Sequence, residues 1–421
     1  MATVGMFFFG EGVSAGLVLA PAGAGSEHPT AVSAATGEAG MSDIADQLVR
    51  LAEGIVFPAR LRVFVEDRLA DQVPFDRQRE WPHAGPAMLL AAACGAAWAE
   101  AQRGGRVAVV VGAVAERDPG WAAARALVER LALGNLRILV AKQDAPIIST
   151  HVEVRREWQP VRLASLPMGG LPPWPVDQDG RAMEAWLSER EPRVFCAHAQ
   201  PGWAEAAPGP ALLGALGQLA TEGRRVCWRV PADARLADWC DQLREVGRRG
   251  LGIKLIVSEP PSAAALAALV GWWVWSPTDA GELAAVLANV FDHEEPSLVM
   301  LPGSSTGIAP WPAAQAVVAG DGRQLLAGGT LTVVADGRQA GRAVAVAQAV
   351  GDAGAFACTG LHPLPVAQLV MLAARGPLAV LGEDLALVIT AALAPSGGGR
   401  VMALPAEGDL AELAERVRTA Q

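Results

Sequence analysis

Short apolar runs alternate with Ala- and Leu-rich stretches of helical length along most of the chain. Arg106–Gly112 (R-V-A-V-V-V-G) is β-branched and ends on glycine, which predicts a strand buried on both faces, as in a parallel sheet. Ahead of it, Pro86–Ala101 predicts a helix, being rich in Ala and Leu with no interior proline. Trp121–Leu133 predicts the next helix and Leu136–Val140 the next strand, so this span reads as a βαβ unit with a right-handed crossover.

The alternation restarts further on, with strands at Arg193–Ala197, Arg225–Val230, Ile253–Val257, Trp272–Trp275 and Leu298–Leu301. Helices are expected at Ala211–Thr221, Leu236–Arg248 and Ala280–Phe291. A third series follows, with strands at Leu331–Ala335, Ala355–Thr359 and Leu378–Leu381 and a helix at Asp409–Arg418. The stretch Leu364–Ala394 is apolar but broken by Arg375, Glu383 and Asp384. Strands alternating with helices predict α/β architecture with mainly parallel sheets flanked by helices.

Two stretches interrupt the pattern. Leu166–Pro175 and Pro302–Pro312 concentrate proline and glycine, which neither a helix interior nor a central strand accepts. They divide the chain into a weakly patterned segment 1–40, a first block 41–165, a linker 166–190, a second block 191–302, a linker 303–320 and a third block 321–421. Ser42 is the expected N-cap of the first helix.

Composition narrows the function classes. The 421 residues are 52% hydrophobic and carry a net charge of −10, enough apolar material for several cores. An acidic chain does not suit phosphate-tracking nucleic-acid binding. Five scattered cysteines, with no C-x-x-C pair, predict reduced core thiols. No Lys or Arg precedes Arg50, so the apolar Met6–Leu19 lacks a signal peptide's basic start, and Ala263–Trp275 is too short to span a bilayer. The expectation is a cytoplasmic protein without membrane association.

Generic catalytic patterns are missing: no G-x-G-x-x-G after a strand, no Walker loop, no H-E-x-x-H and no G-x-S-x-G. Gly303–Gly307 and Ser396–Gly399 read as loops. His198 and His362 read as structural or surface histidines, and Asp292–Glu295 as a solvated turn.

Longer motifs are more informative. P-H-A-G-P-A-M-L-L-A-A-A-C-G-A-A-W-A at Pro82–Ala99, R-V-A-V-V-V-G-A-V at Arg106–Val114 and L-G-N-L-R-I-L-V-A-K-Q-D at Leu133–Asp144 follow in order. Q-L-A-T-E-G-R-R-V at Gln218–Val226, V-W-S-P-T-D-A-G-E-L at Val274–Leu283, T-L-T-V-V-A-D-G at Thr330–Gly337 and G-L-H-P-L-P at Gly360–Pro365 come next. From about Trp81 onward this order resembles the transketolase-like family of thiamine-diphosphate enzymes, 1-deoxyxylulose-5-phosphate synthase most of all. The resemblance implies a diphosphate-binding-like domain, a pyrimidine-binding-like domain and a transketolase C-terminal-like domain. It places His83 at the family's histidine, and Gly112 and Asp144 at cofactor-binding positions.

The departures from the family bear on activity. Where the family has a metal-binding aspartate in Gly-Asp-Gly, Gly112 is followed by Ala113, which offers magnesium no oxygen. Asp144 keeps a carboxylate at the second ligand position, and Glu116 or Asp118 are the nearby substitutes. The family's ring-activating glutamate falls at Gly209, which has no acid–base group, and Glu205 is the nearest alternative. The arginines that hold the sugar phosphate are missing from Val299–Ser304 and Thr359–Leu364.

The resemblance and its departures imply a pseudoenzyme that binds no cofactor, serves a structural, regulatory or partner-binding role, and forms a homodimer. One alternative is an active thiamine-diphosphate and magnesium transferase with a rearranged site. Another is a small-molecule-binding protein using the inter-domain cleft.

Overall fold

The computed structural model describes residues 40–56, 59–67, 69, 85–141, 194–197, 200–232, 234–258, 261, 266, 269–303, 307–312 and 317–419. These fold into two compact units. The first draws on residues up to Leu163 together with Ala197–Val226, and the second on Ala164–Cys196 and Cys227 onward.

The first unit contains α1 (Met41–Ala52), β1 (Leu61–Val65), α2 (Pro86–Ala101), β2 (Arg106–Gly112), α3 (Trp121–Leu131), β3 (Leu136–Ala141) and α4 (Pro210–Thr221). Its three described strands are parallel in the order β1-β2-β3. The β2 run is buried from Val107 through Gly112, which accounts for its unbroken apolar sequence. Helix α1 starts two residues earlier than a Ser42 cap requires: Gly40 is the N-cap, and its N–H donates to Asp43 Oδ2 at 3.2 Å. The acidic residue takes the capping role that the hydroxyl was expected to fill.

Close packing of α2 on α4 depends on glycine. A Cβ at Gly95 would overlap the Ala215 carbonyl oxygen, and one at Gly214 would meet Met88 Sδ at 2.5 Å. The two helices therefore approach backbone to backbone.

The second unit holds β4 (Val194–Cys196), most of β5 (Arg225–Val230), α5 (Cys240–Arg249), β6 (Ile253–Val257), β7 (Trp273–Trp275), α6 (Ala280–Asp292) and β8 (Ser297–Met300). It continues with β9 (Arg323–Leu326), β10 (Leu331–Asp336), α7 (Ala340–Val350), β11 (Ala353–Cys358), β12 (Gly360–His362), α8 (Val366–Arg375), β13 (Leu378–Leu381), α9 (Glu383–Leu393), β14 (Val401–Leu404) and α10 (Leu410–Thr419).

Its strands form a sheet in the order β12-β7-β8-β6-β5-β4 and another in the order β14-β13-β10-β11-β9. The edge strands β12 and β9 pair antiparallel, while β7–β8, β6–β8, β10–β11, β10–β13 and β13–β14 are parallel. Because β12 follows β11 in the chain but completes the other sheet, the two sheets are covalently interleaved. One core packs α7 and α10 on the last sheet, and another packs α8 and α9 on its opposite face.

The fold is thus α/β, with mainly parallel sheets flanked by helices. Short runs absent from the sequence expectation are β1, β9, β12 and β14, and the apolar stretch from Leu364 resolves into α8, β13 and α9. Leu236–Trp239 opens the Leu236–Arg248 element as a 3-10 turn rather than as α-helix. Among the described residues, no helix is long and apolar enough to cross a membrane.

Candidate functional site

Ligands of open parallel sheets collect at the carboxyl ends of the strands. In the first unit that edge carries Glu66 after β1 and Gly112 at the end of β2. The Gly112 N–H donates to Glu66 Oε2 at 2.8 Å, and the Glu66 N–H donates to the Val110 carbonyl at 3.0 Å. Among the described residues, Glu66 is thus a carboxylate held directly at the Gly112 position, and sequence reasoning missed it. The sequence signal was the apolar run Leu61–Val65, which lies ahead of the motif-bearing region and is disguised by a charged residue within it.

Past Gly112 the chain turns through Ala113 and Val114 into a 3-10 turn, Ala115–Arg117. Glu116 is exposed on that turn. Asp118 is committed elsewhere: Oδ2 accepts the Ala87 N–H at 3.2 Å and Oδ1 accepts the Gly120 N–H at 2.9 Å. It thereby satisfies orphan donors at the start of α2 and precedes α3, as a capping carboxylate does. His83, Asp144 and His198 lie outside the described residues.

Gly209 is the N-cap of α4, with extended backbone at φ 166° and ψ −178°. A Cβ there would meet nothing within 4 Å, so the position is open although it offers no functional group. Glu205 is exposed, and its Oε2 accepts the Gly202 N–H at 2.7 Å within its own loop.

Among the described residues of the first unit, a network of charges sits at the beginning of the sheet instead. Arg62, only 1% exposed on β1, pairs with Glu222 at the end of α4. Arg60 donates to the fully buried Glu100 of α2 at 2.9 Å and lies 3.7 Å from Glu222. This network joins β1, α2 and α4, away from the ligand edge.

In the second unit the Ser276–Glu282 segment builds a buried polar cluster. Asp279 caps α6, its Oδ1 accepting the Glu282 N–H at 2.9 Å. Arg323 of β9 donates to Asp279 Oδ2 at 2.7 Å, and its guanidinium lies over the Trp311 ring at 5.2 Å. Glu282 accepts from the Thr278 N–H at 2.8 Å and from the Thr359 hydroxyl at 2.7 Å. The partners come from the start of α6, from β9, from the loop at Trp311 and from Thr359 between β11 and β12, so this cluster acts as a clamp within the unit.

The turn at Asp292–Glu295 presents carbonyls rather than a metal cage. Lys254, fully buried on β6, donates to the His293 carbonyl at 3.0 Å and also to that of Glu295. Among the described residues, no three His, Cys, Asp or Glu side chains come together to hold a metal ion. A cleft of about 280 Å³ opens where β5 and β6 end, between Val230–Ala237 and Val257–Ser258.

Among solved structures, a histidine-to-phenylalanine transketolase mutant of Pichia stipitis is matched at a TM-score of 0.52 and 12% identity, over 86% of this chain and 89% of that one. The fold is transketolase-like. Another Pichia stipitis transketolase mutant structure, in complex with xylulose 5-phosphate, is matched over 77% of this chain and 82% of that one at 11% identity and a TM-score of 0.47. A split-gene transketolase, an inactive beta4 tetramer, is matched over 56% of this chain and 95% of that one at 17% identity and a TM-score of 0.47. No protein-family model matches the sequence, and no curated protein matches it.

A transketolase-like fold raises the question of magnesium and thiamine diphosphate. The described donors do not suit them. Ala113 has no ligand atom, Asp118 spends both oxygens on backbone N–H groups, Glu116 faces solvent and Gly209 has no carboxylate. Magnesium demands oxygen ligands in near-octahedral order, and Glu66 at this edge is already hydrogen-bonded to the Gly112 N–H.

Proposed function

We propose that the chain is a transketolase-like protein without thiamine-diphosphate catalysis, acting as a structural, regulatory or partner-binding homologue. The observation that carries this reading is the commitment of Asp118 to capping α2 where Ala113 has replaced the acidic ligand. The bare Gly209 supports it independently, since acid–base assistance is worth roughly 10²–10⁴-fold in rate. In this reading residues 41–165, 191–302 and 321–421 descend from diphosphate-binding, pyrimidine-binding and C-terminal domains, nearest to those of 1-deoxyxylulose-5-phosphate synthase. The protein is cytoplasmic and a homodimer, and it does not act on nucleic acid or membranes.

The competing reading, an active transferase, would need Glu66 and Asp144 to hold the metal and Glu205 to assist the ring. Mass spectrometry of small molecules released from the purified protein separates the two. The proposal expects no thiamine diphosphate, and its stoichiometric recovery would overturn the proposal.

A second reading is favoured by the cleft at the ends of β5 and β6. Its place at the carboxyl edge of a parallel sheet supports small-molecule binding by a fold without thiamine chemistry. The same mass spectrum would reveal such a ligand as a different mass.

A further inference from the structure

We propose that the cleft at the ends of β5 and β6 is a site for a small monocarboxylate with an apolar body, its charged end held by the guanidinium of Arg235. This rests on the small-molecule reading above and names the ligand class.

The turn that leaves β5 shapes one wall of the cleft. The Ala234 N–H donates to the Pro231 carbonyl at 3.0 Å, and the Asp238 N–H donates to the Arg235 carbonyl at 2.9 Å. Trp239, which ends the 3-10 turn Leu236–Trp239, stacks on Trp228 of β5 with ring centroids 5.4 Å apart and planes within 13°. Both rings are buried. A wall closed by its own hydrogen bonds and pinned by two stacked rings is set before a ligand arrives, which keeps the ordering cost of binding low.

The lining decides the class. Arg235 and Ser258 bring the polar side-chain groups, and the other described lining residues are Val230, Pro231, Leu236, Val257, Pro261 and three alanines. Arg235 is exposed, and among the described residues no hydrogen bond or ion pair occupies its guanidinium or the Ser258 hydroxyl. Asp241 at the start of α5 is taken by Arg244 at 3.0 Å. A guanidinium meets a carboxylate with two parallel N–H donors, and a serine hydroxyl adds a third.

Other ligand classes fit less well. Among the described lining residues there is no Asp or Glu, so a cation finds no counter-charge. A sugar needs several polar partners, which a mostly apolar lining does not give. A phosphate ester or diphosphate carries more charge than one guanidinium offsets, in a chain whose net charge is −10. Size sets the apolar body. At about 30 Å³ per water in the liquid, the 280 Å³ of the cleft is room for a ligand of roughly eight to ten non-hydrogen atoms.

Ligand-observed NMR titration of the full chain with hexanoate, its neutral isostere hexanamide, and hexylamine tests the assignment. Hexanoate is expected to bind with a dissociation constant of about 0.1–1 mM, hexanamide about threefold to tenfold more weakly, and hexylamine not at all. Arg235→Gln should weaken hexanoate by the same factor and leave hexanamide unchanged. Ala232→Trp, which fills the cleft from an exposed lining position, should abolish binding of both. Equal binding of hexanoate and hexanamide, or hexanoate binding indifferent to Arg235→Gln, would overturn the carboxylate assignment while leaving the small-molecule reading of the cleft intact. Hexanoate binding that survives Ala232→Trp would overturn the assignment by placing the ligand elsewhere. If none of the three probes binds, the assignment fails, and the small-molecule reading is then decided by the mass spectrum alone. The contrast between hexanoate and hexanamide on the unmodified chain decides the matter even where a variant fails to fold.

Discussion

Thr359 donates its hydroxyl to Glu282 Oε1 at 2.7 Å, joining positions 77 residues apart and tying α6 to the segment that leads from β11 into β12. Arg323 reaches the same cluster from β9, 3.6 Å from Glu282 Oε2 and 2.7 Å from Asp279 Oδ2. Two buried carboxylates share one guanidinium, and the remaining lone pairs are met by the Thr278 N–H and by hydroxyls. Such an arrangement is worth most as a whole, because each partner removed leaves a charge or acceptor unsatisfied in the interior.

Thr359→Val should therefore cost about 1–3 kcal/mol, and Arg323→Ala about 3–5 kcal/mol, in urea denaturation. A loss below ~0.5 kcal/mol for Arg323→Ala would mean that the cluster is not a clamp.

In the first unit, Arg62 and Glu222 are expected to behave as a coupled pair. Arg62→Met and Glu222→Gln should each destabilise, and the double substitution should cost less than their sum, with a coupling of about 0.5–3 kcal/mol. Strict additivity in a double-mutant cycle would contradict this.

Two glycines should respond oppositely. Gly209→Glu enters open space on extended backbone and should change stability by about 0.5 kcal/mol or less, with no gain of turnover. Gly95→Ala would press a methyl group into the Ala215 carbonyl and should cost about 1–3 kcal/mol or more. Thermal unfolding of both variants checks the contrast.

Asp336 supplies a pH dependence. Burial holds its carboxyl above the ordinary value of 3.8, against hydrogen bonds from the Gln339 and Arg338 N–H groups that pull it down. The stability this group contributes is complete below that ordinary value and is lost as pH rises through its folded-state pKa. Asp336→Asn keeps an acceptor for the Gln339 N–H, bound at 3.1 Å, without the buried charge. It should unfold at an equal or higher temperature at pH 7 and lose less stability than wild type as pH rises from 3 to 7. A lower unfolding temperature at pH 7 would count against this account.

The central strands were readable because burial on both faces writes a continuous apolar run; β2, β5, β6 and β13 stand at the bounds their sequences implied. β1 was hidden by Arg62, a charge inside a strand that Glu222 meets from the end of α4. β9 and β12 are short edge strands of mixed polarity, whose pairing is decided by residues far away in sequence. The α/β class and the transketolase-like fold were legible, and the local roles were not. Nothing near Asp118 announces that it caps α2, a helix that begins some thirty residues earlier. Nor does the Ser276–Glu282 motif disclose Arg323 as its partner.

The proposed loss of thiamine chemistry is tested most directly by isothermal calorimetry with thiamine diphosphate and magnesium on the unmodified protein. Ala113→Asp and Gly209→Glu serve as companions to it. The account predicts no heat of binding at micromolar protein for the unmodified chain, recovery of binding at most with Ala113→Asp, and none with Gly209→Glu. Micromolar affinity in the unmodified protein, abolished by a chelator, would contradict it and leave the active, rearranged site as the better explanation.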